Sequence, residues 1–261
     1  MTARGASEPA RRSRAGDRAV VGAAVIGAML ALVVGSVACG ETRGVVLGDV
    51  PIVAQADAAG FDAGSSCAPC VTPVTLNGAS ETPSQGSDGG SPSLDLCPEN
   101  EVLLGFQGFV TPPSAGLTLI EGLEAMCGEL SFVSPSPGPS ATAAGATLPI
   151  RGASKGSAWT QRCPANEVVV GFSGRSGSDL DQVAFECASW TAESEAPGAP
   201  LSMGAAITLP AVGGDGGLPF QEACPSGQLA RGTNGRFGQW VNALALVCAT
   251  PTLGAGDAGA L

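Results

Sequence analysis

The chain has 261 residues, no His and no Tyr, 13% charged residues and a formal net charge of −11. The missing residue types remove imidazole bases, Ser–His–Asp triads, His metal sites and tyrosyl chemistry, and Lys155 is the only lysine left for a Schiff base. The acidic balance argues against nucleic acid as a partner. Gly 39 and Pro 20 disfavour long helices, and with 4% aromatic residues the core is expected to consist of Ala, Val, Leu and Ile.

The N-terminus carries Arg4, Arg11, Arg12, Arg14 and Arg18 against Glu8 and Asp17, then an apolar and small-residue run over 19–38. A basic segment, an apolar run and small residues at its end describe a secretory signal, expected over 1–38. Left uncut, the same run is long enough to cross a bilayer. Its end, Ser36-Val37-Ala38-Cys39-Gly40, resembles a bacterial lipobox, in which the cysteine after the cleavage site receives a diacylglycerol. Ser36 stands where that motif usually has Leu, and Ser36-x-Ala38 also suits an ordinary signal peptidase. Parity favours lipidation. Without Cys39, eight of the nine cysteines remain, enough for four disulfides in an oxidising compartment. The expected location is the bacterial cell envelope, lipid-anchored at the outer membrane or cell surface. Residues 39–70 read as a flexible tether and 253–261 as a disordered tail.

Three repeats organise the expected domain, 71–252, over about 71–130, 145–190 and 205–250. Each begins Cys-Pro and continues with six residues, Gly, two residues, Gly: Cys97 with Gly105 and Gly108, Cys163 with Gly171 and Gly174, Cys224 with Gly232 and Gly235. A second Cys closes each unit, at 127, 187 and 248. Thr147-Leu148-Pro149 and Thr208-Leu209-Pro210 lead into copies two and three. In copy one Leu76 is taken as the counterpart of Leu148 and Leu209, although it lies farther from its Cys.

Within copies the periods are those of strands. Val168-Val169-Val170-Gly171-Phe172 is short and β-branched, and Leu180, Val183, Phe185 and Cys187 lead to the closing Cys across a Gly- and Ser-rich turn. Upstream, 146–150 and 158–162 read as a second strand pair. The fold class is therefore all-β, with four strands per repeat and twelve in all. The register pairs Cys97 with Cys127, Cys163 with Cys187 and Cys224 with Cys248, each clamping the start of a third strand to the end of a fourth. At these loop lengths a bridge contributes about 3 kcal/mol. Cys67 and Cys70 are left to each other.

Three four-stranded units with this Cys-Pro and Gly pattern resemble the β-prism of vitelline membrane outer layer protein I. The hairpin from Val170 to Asp181 resembles the last hairpin of jacalin-related lectins. The resemblance implies a three-fold, Greek-key β-prism I, and sugar hydroxyls held by a Gly-x3-Asp loop beside a Gly-rich loop. The chemistry is sound by itself: a carboxylate accepts two strong hydrogen bonds, and Gly lets backbone N–H groups approach the ring. Gly177-Ser178-Asp179-Leu180-Asp181 matches in copy two. Copy three has Gly238, Trp240 and Asn242, with Asn in place of Asp, and Trp240 offers a stacking face; copy one has Glu121 at the same offset. The partner Gly-rich loops are Gly152 to Gly156 and Gly213-Gly214 to Gly217. Against this stands the plain reading that Gly and Asp serve hairpin turns.

Cys67-Ala-Pro-Cys70 has redox-dithiol spacing but no helix beside it, so it reads as a structural disulfide. Asp179, Asp181 and Asp215 can in principle ligate Ca²⁺, but no calcium motif is present. Acids for glycoside hydrolysis lie in turns without pocket-forming insertions, so the chain reads as non-enzymatic, with no cofactor and no metal. Two functions are expected: a membrane-tethered, lectin-like protein whose partners are glycans or cell-surface polysaccharide, or a structural envelope or matrix protein with no small ligand.

Overall fold

The computed structural model describes residues 70–112, 117–134, 138–142 and 145–255; the expected signal, Cys39, Cys67 and most of the expected tail lie outside them. The elements are strands: β1 (Cys70–Glu81), β2 (Gln85–Gly86), β3 (Ser91–Leu96), β4 (Glu101–Val110), β5 (Ile120–Ser134), β6 (Gly138–Thr142), β7 (Arg151–Gly152) and β8 (Ser157–Arg162). There follow β9 (Glu167–Ser176), β10 (Leu180–Ala192), β11 (Leu201–Met203), β12 (Ile207–Thr208), β13 (Val212–Gly213), β14 (Leu218–Ala223), β15 (Leu229–Phe237) and β16 (Val241–Leu253). Leu253, placed with the tail from sequence, ends β16 and is 1% exposed.

Each repeat contributes one long antiparallel hairpin, β4–β5, β9–β10 or β15–β16. The upstream segments do not pair with each other, as the sequence reading had it. They flank the hairpin of the preceding repeat, one on each edge. Thus β8 lines β4 while β6 and β7 line β5. Likewise β14 lines β9 while β11, β12 and β13 line β10. The first repeat closes the cycle: β3 lines β15, and β1 and β2 line β16. The result is three layers, each four strands wide and each made from two repeats. Strand β1 joins two of them into one ten-stranded sheet, its start (Cys70–Pro73) pairing with β5 and the rest with β16, while β9 to β14 form a six-stranded sheet. Period-two patterning identifies a strand but not its partner, which is why the exchange was invisible in the sequence.

The disulfides Cys97–Cys127, Cys163–Cys187 and Cys224–Cys248 follow the repeat register. Because strands are exchanged, each bridge joins two of these layers. Cys163 follows β8 and donates its N–H to Leu104, whereas Cys187 lies inside β10. The closing cysteines are not strand ends: Cys127, Cys187 and Cys248 all sit mid-strand. Polar ties run the same way round. Asp95 of β3 takes Arg151 of β7 at 2.5 and 2.9 Å, Gln161 of β8 donates to the Pro210 carbonyl, and Glu222 of β14 accepts from Gln85 of β2 at 2.7 Å.

The repeat motif has steric and turn origins. A Cβ on Gly105 would stand 2.4 Å from the Gln161 carbonyl oxygen, and one on Gly232 2.4 Å from that of Asp95, so only glycine lets the flanking strand approach. After each Cys-Pro, the Pro98, Pro164 and Pro225 carbonyls accept from the N–H three residues on. Asn100, Asn166 and Gly227 occupy the left-handed third position at φ 63, 63 and 76°.

The apolar runs are buried on both faces. Leu103, Val169 and Ala230 enter one cluster with the bridged cysteines, and Val102, Val168 and Leu229 enter another with Trp190 and Leu253. The core is also more aromatic than composition suggests. Phe106, Phe172, Phe185 and Trp190 are almost fully buried, and Phe106 stacks on Phe185 with ring centroids 3.7 Å apart. Scarce rings are concentrated inside rather than replaced by aliphatics.

Candidate functional site

Strand exchange also decides which Gly-rich loop meets which hairpin. Six residues before each closing Cys stands a polar side chain: Glu121, Asp181 or Asn242. Its backbone carbonyl accepts from an upstream loop of the next repeat in the cycle: Ala153 N–H to Glu121, Gly214 N–H to Asp181, and Ser87 N–H to Asn242, at 2.8–2.9 Å. The residue before each donor is a glycine at positive φ, namely Gly152 (86°), Gly213 (118°) and Gly86 (122°). A side chain at Gly213 would also strike the Asp181 carbonyl oxygen, 2.1 Å from its Cβ.

Three equivalent cradles follow, 152–156 under Glu121, 213–217 under Asp181 and 86–90 under Asn242. Gly152 and Gly156 therefore belong with Glu121 and not with Asp181, whereas Gly213 and Gly214 do meet Asp181. The third cradle escaped the sequence reading because Thr82 fills the place of Leu148 and Leu209. The Thr82 N–H donates to Leu246 as Leu148 does to Ala125 and Leu209 to Phe185, so Thr82, not Leu76, is their counterpart. The signal was the proline that follows each, Pro83, Pro149 and Pro210, with a glycine three residues on.

The three differ chemically. At Asp181 the carboxylate faces bare backbone: Cβ atoms on Gly216 and Gly217 would stand 2.2 and 2.5 Å from its two oxygens, and one on Gly177 3.7 Å away. Arg175 braces the loop by donating to the Gly216 and Gly217 carbonyls at 2.8 and 2.9 Å. Asp181 is 7% exposed, and burial, followed by the neighbouring Asp179 charge, raises its pKa above the ordinary value of 3.8. The Arg175 charge and the N–H groups of Gly177 and of Asp181 itself oppose that rise.

At Asn242 the loop is braced the same way, Arg236 donating to the Gly89 and Gly90 carbonyls at 2.9 and 3.0 Å. The amide Nδ2 donates to Asp179 Oδ1 at 2.6 Å, while the buried Oδ1 has no hydrogen-bond partner among the described residues. At Glu121 the longer side chain bends into its own cradle and accepts from the N–H of Gly156 (2.5 Å) and Lys155 (3.2 Å). Phe109 there holds the register place of Arg175 and Arg236. Neither brace was singled out from the sequence, although each Arg lies six residues before its polar residue.

Gly238 sits in the third hairpin turn, its N–H donating to the Trp240 carbonyl, and Trp240 is half-buried with its indole N–H enclosed. Among the described residues no group of three or more Cys, Asp or Glu side chains is placed to hold a metal ion.

Fold and site together define an all-β, disulfide-stapled protein of three strand-exchanged hairpin layers, with a glycine cradle against one polar side chain on each. Among solved structures the chain is similar to Malaysian banana lectin, at 16% identity and a TM-score of 0.40 over 66% of this chain and 98% of that one. It is also similar to the agglutinin of Calystegia sepium, at 18% identity and 0.42 over 66% and 97%. A mannose-binding jacalin-related lectin from Ananas comosus matches at 14% and 0.42 over 67% and 99%. No protein-family model and no curated protein matches the chain.

Proposed function

We propose that the chain is an exported, non-enzymatic carbohydrate-binding protein, held at the cell envelope by a lipid on Cys39, with its sugar site at Asp181. One observation carries the sugar reading: the Asp181 carboxylate is set against the unsubstituted backbone of Gly177, Gly216 and Gly217. Two hydroxyls of one hexose ring can donate to its two oxygens, and the absence of side chains leaves room for the ring beside the backbone. Arg175 holds the loop in place beside the carboxylate. Export agrees with the disulfides, which persist in oxidising compartments.

The test is the full chain on a glycan microarray, with retention challenged by free monosaccharide. Retention of hexose-terminated glycans, released by the free sugar, is expected. No retention across the panel would overturn the reading in favour of a structural envelope or matrix protein. The three disulfides, each tying one hairpin layer to another, suit that role equally.

A further inference from the structure

We infer that only the Asp181 cradle is open to a sugar, and that Asn242 is a positioning residue holding the Asp181 hairpin from the neighbouring sheet. The inference rests on the sugar reading above and assigns its valency.

The three cradles share one backbone design but not one state. The Glu121 carboxylate already takes the Gly156 and Lys155 N–H groups, so that cradle is filled by the chain's own side chain. The Asn242 amide is spent differently. Its Nδ2 is bound to Asp179, two residues before Asp181, and Ser87 of the same cradle donates its hydroxyl to the Ser178 carbonyl at 2.6 Å. Two hydrogen bonds thus run from the third cradle to the turn that presents Asp181. The corresponding tie cannot form at Asp181. There the preceding hairpin offers Leu119, at the register place of Asp179, which has no polar side-chain atom. Among the described residues hairpin one meets Gly214 of that cradle through Thr118, whose carbonyl oxygen and Cβ lie 2.6 and 3.1 Å from where a Cβ on Gly214 would be. Among the described residues, Asp181 is therefore the one of the three whose side chain makes no hydrogen bond to another side chain or to its cradle loop; its oxygens pack against Gly216 and Gly217 instead.

The experiment is an amide-resolved NMR titration of the full chain with methyl α-mannoside, α-glucoside and α-galactoside. A binding sugar should move the Gly177, Gly216 and Gly217 amides and leave Lys155, Gly156, Gly89 and Gly90 in place. Saturating shifts at either of the latter pairs would overturn the single-site claim. Asn242→Asp sets a second carboxylate against Asp179 and should weaken binding read at Gly216 about tenfold. Adding Asp179→Asn exchanges donor and acceptor and should restore it to within about threefold, a rescue that general destabilisation would not give. An N242D effect without rescue, or none at all, would overturn the positioning role. A sugar-free arm keeps the two ideas separable. N242D should speed hydrogen exchange at Gly177, whose N–H donates to the Asp179 carbonyl, and leave Gly156 unchanged. If no sugar moves any amide, the sugar reading and the valency fall, while the exchange data still decide the tie.

Discussion

Asp181→Asn separates binding from folding more sharply than any truncation. Asn is already tolerated in this setting, because Asn242 occupies the equivalent place over the same type of cradle with the same arginine brace. The amide keeps an oxygen toward Gly177 but loses the charge. Hydrogen bonds to a charged group are worth about 1.5–3 kcal/mol, so losing charge assistance on even one sugar hydroxyl weakens binding about tenfold or more. Stability should move the other way. The folded pKa of Asp181 is raised by burial and by the Asp179 charge, so the folded state holds this proton more tightly than the unfolded chain. Its stabilising contribution is complete below the ordinary carboxylate value of 3.8 and disappears as pH rises through the folded pKa. At pH 7 the ionised carboxylate is a cost that D181N removes. Thermal unfolding should show D181N equal to or above wild type at pH 7, the gap closing toward pH 3, while glycan retention is lost at every pH. A variant that unfolds several degrees earlier at pH 7, or one that retains glycan undiminished, would refute the reasoning.

Removing the Cys163–Cys187 bridge by a paired Ser substitution opens a loop of 24 residues and should cost about 3.5 kcal/mol in the chain-entropy picture, read by denaturant unfolding. Burial pushes the Asp95 carboxyl up, but hydrogen bonds from Arg151 and Ser93 and the Arg151 charge together hold it below 3.8. Its contribution is therefore present above 3.8 and lost only as pH falls through the lower folded value. Because the Arg151 side chain is 38% exposed, Arg151→Ala should cost less than about 1 kcal/mol at pH 7, with no difference left in strong acid. Cys39→Ser should move the exported protein from the detergent phase to the aqueous phase, and unchanged partitioning would contradict lipid anchoring.

The parts of the fold legible in the sequence were local ones. Cys-Pro with two spaced glycines marks a turn and a close strand approach, and the alternation after Leu180 marks a strand; both are determined within a few residues. The partner of β8 or β14 depends on a hairpin in another repeat, and nothing in the local pattern of Ser157–Arg162 says which edge it will line. The same non-locality hid the site. Gly177-x3-Asp181 was visible as a motif, but the pairing of Asp181 with 213–217 and of Glu121 with 152–156 follows from strand exchange. The third cradle was hidden by a polar substitution, Thr82, at a place read by hydrophobicity. That hydroxyl accepts the Leu246 N–H at 2.9 Å, so the position is satisfied by hydrogen bonding where its counterparts are satisfied by burial.

A crystal structure of the protein soaked with the best-retained monosaccharide tests the sugar site most directly. Two ring hydroxyls should lie within hydrogen-bonding distance of the two Asp181 carboxylate oxygens, with the ring edge against Gly177, Gly216 and Gly217. A sugar seated instead on Trp240, or in the Glu121 cradle with Asp181 untouched, would contradict it.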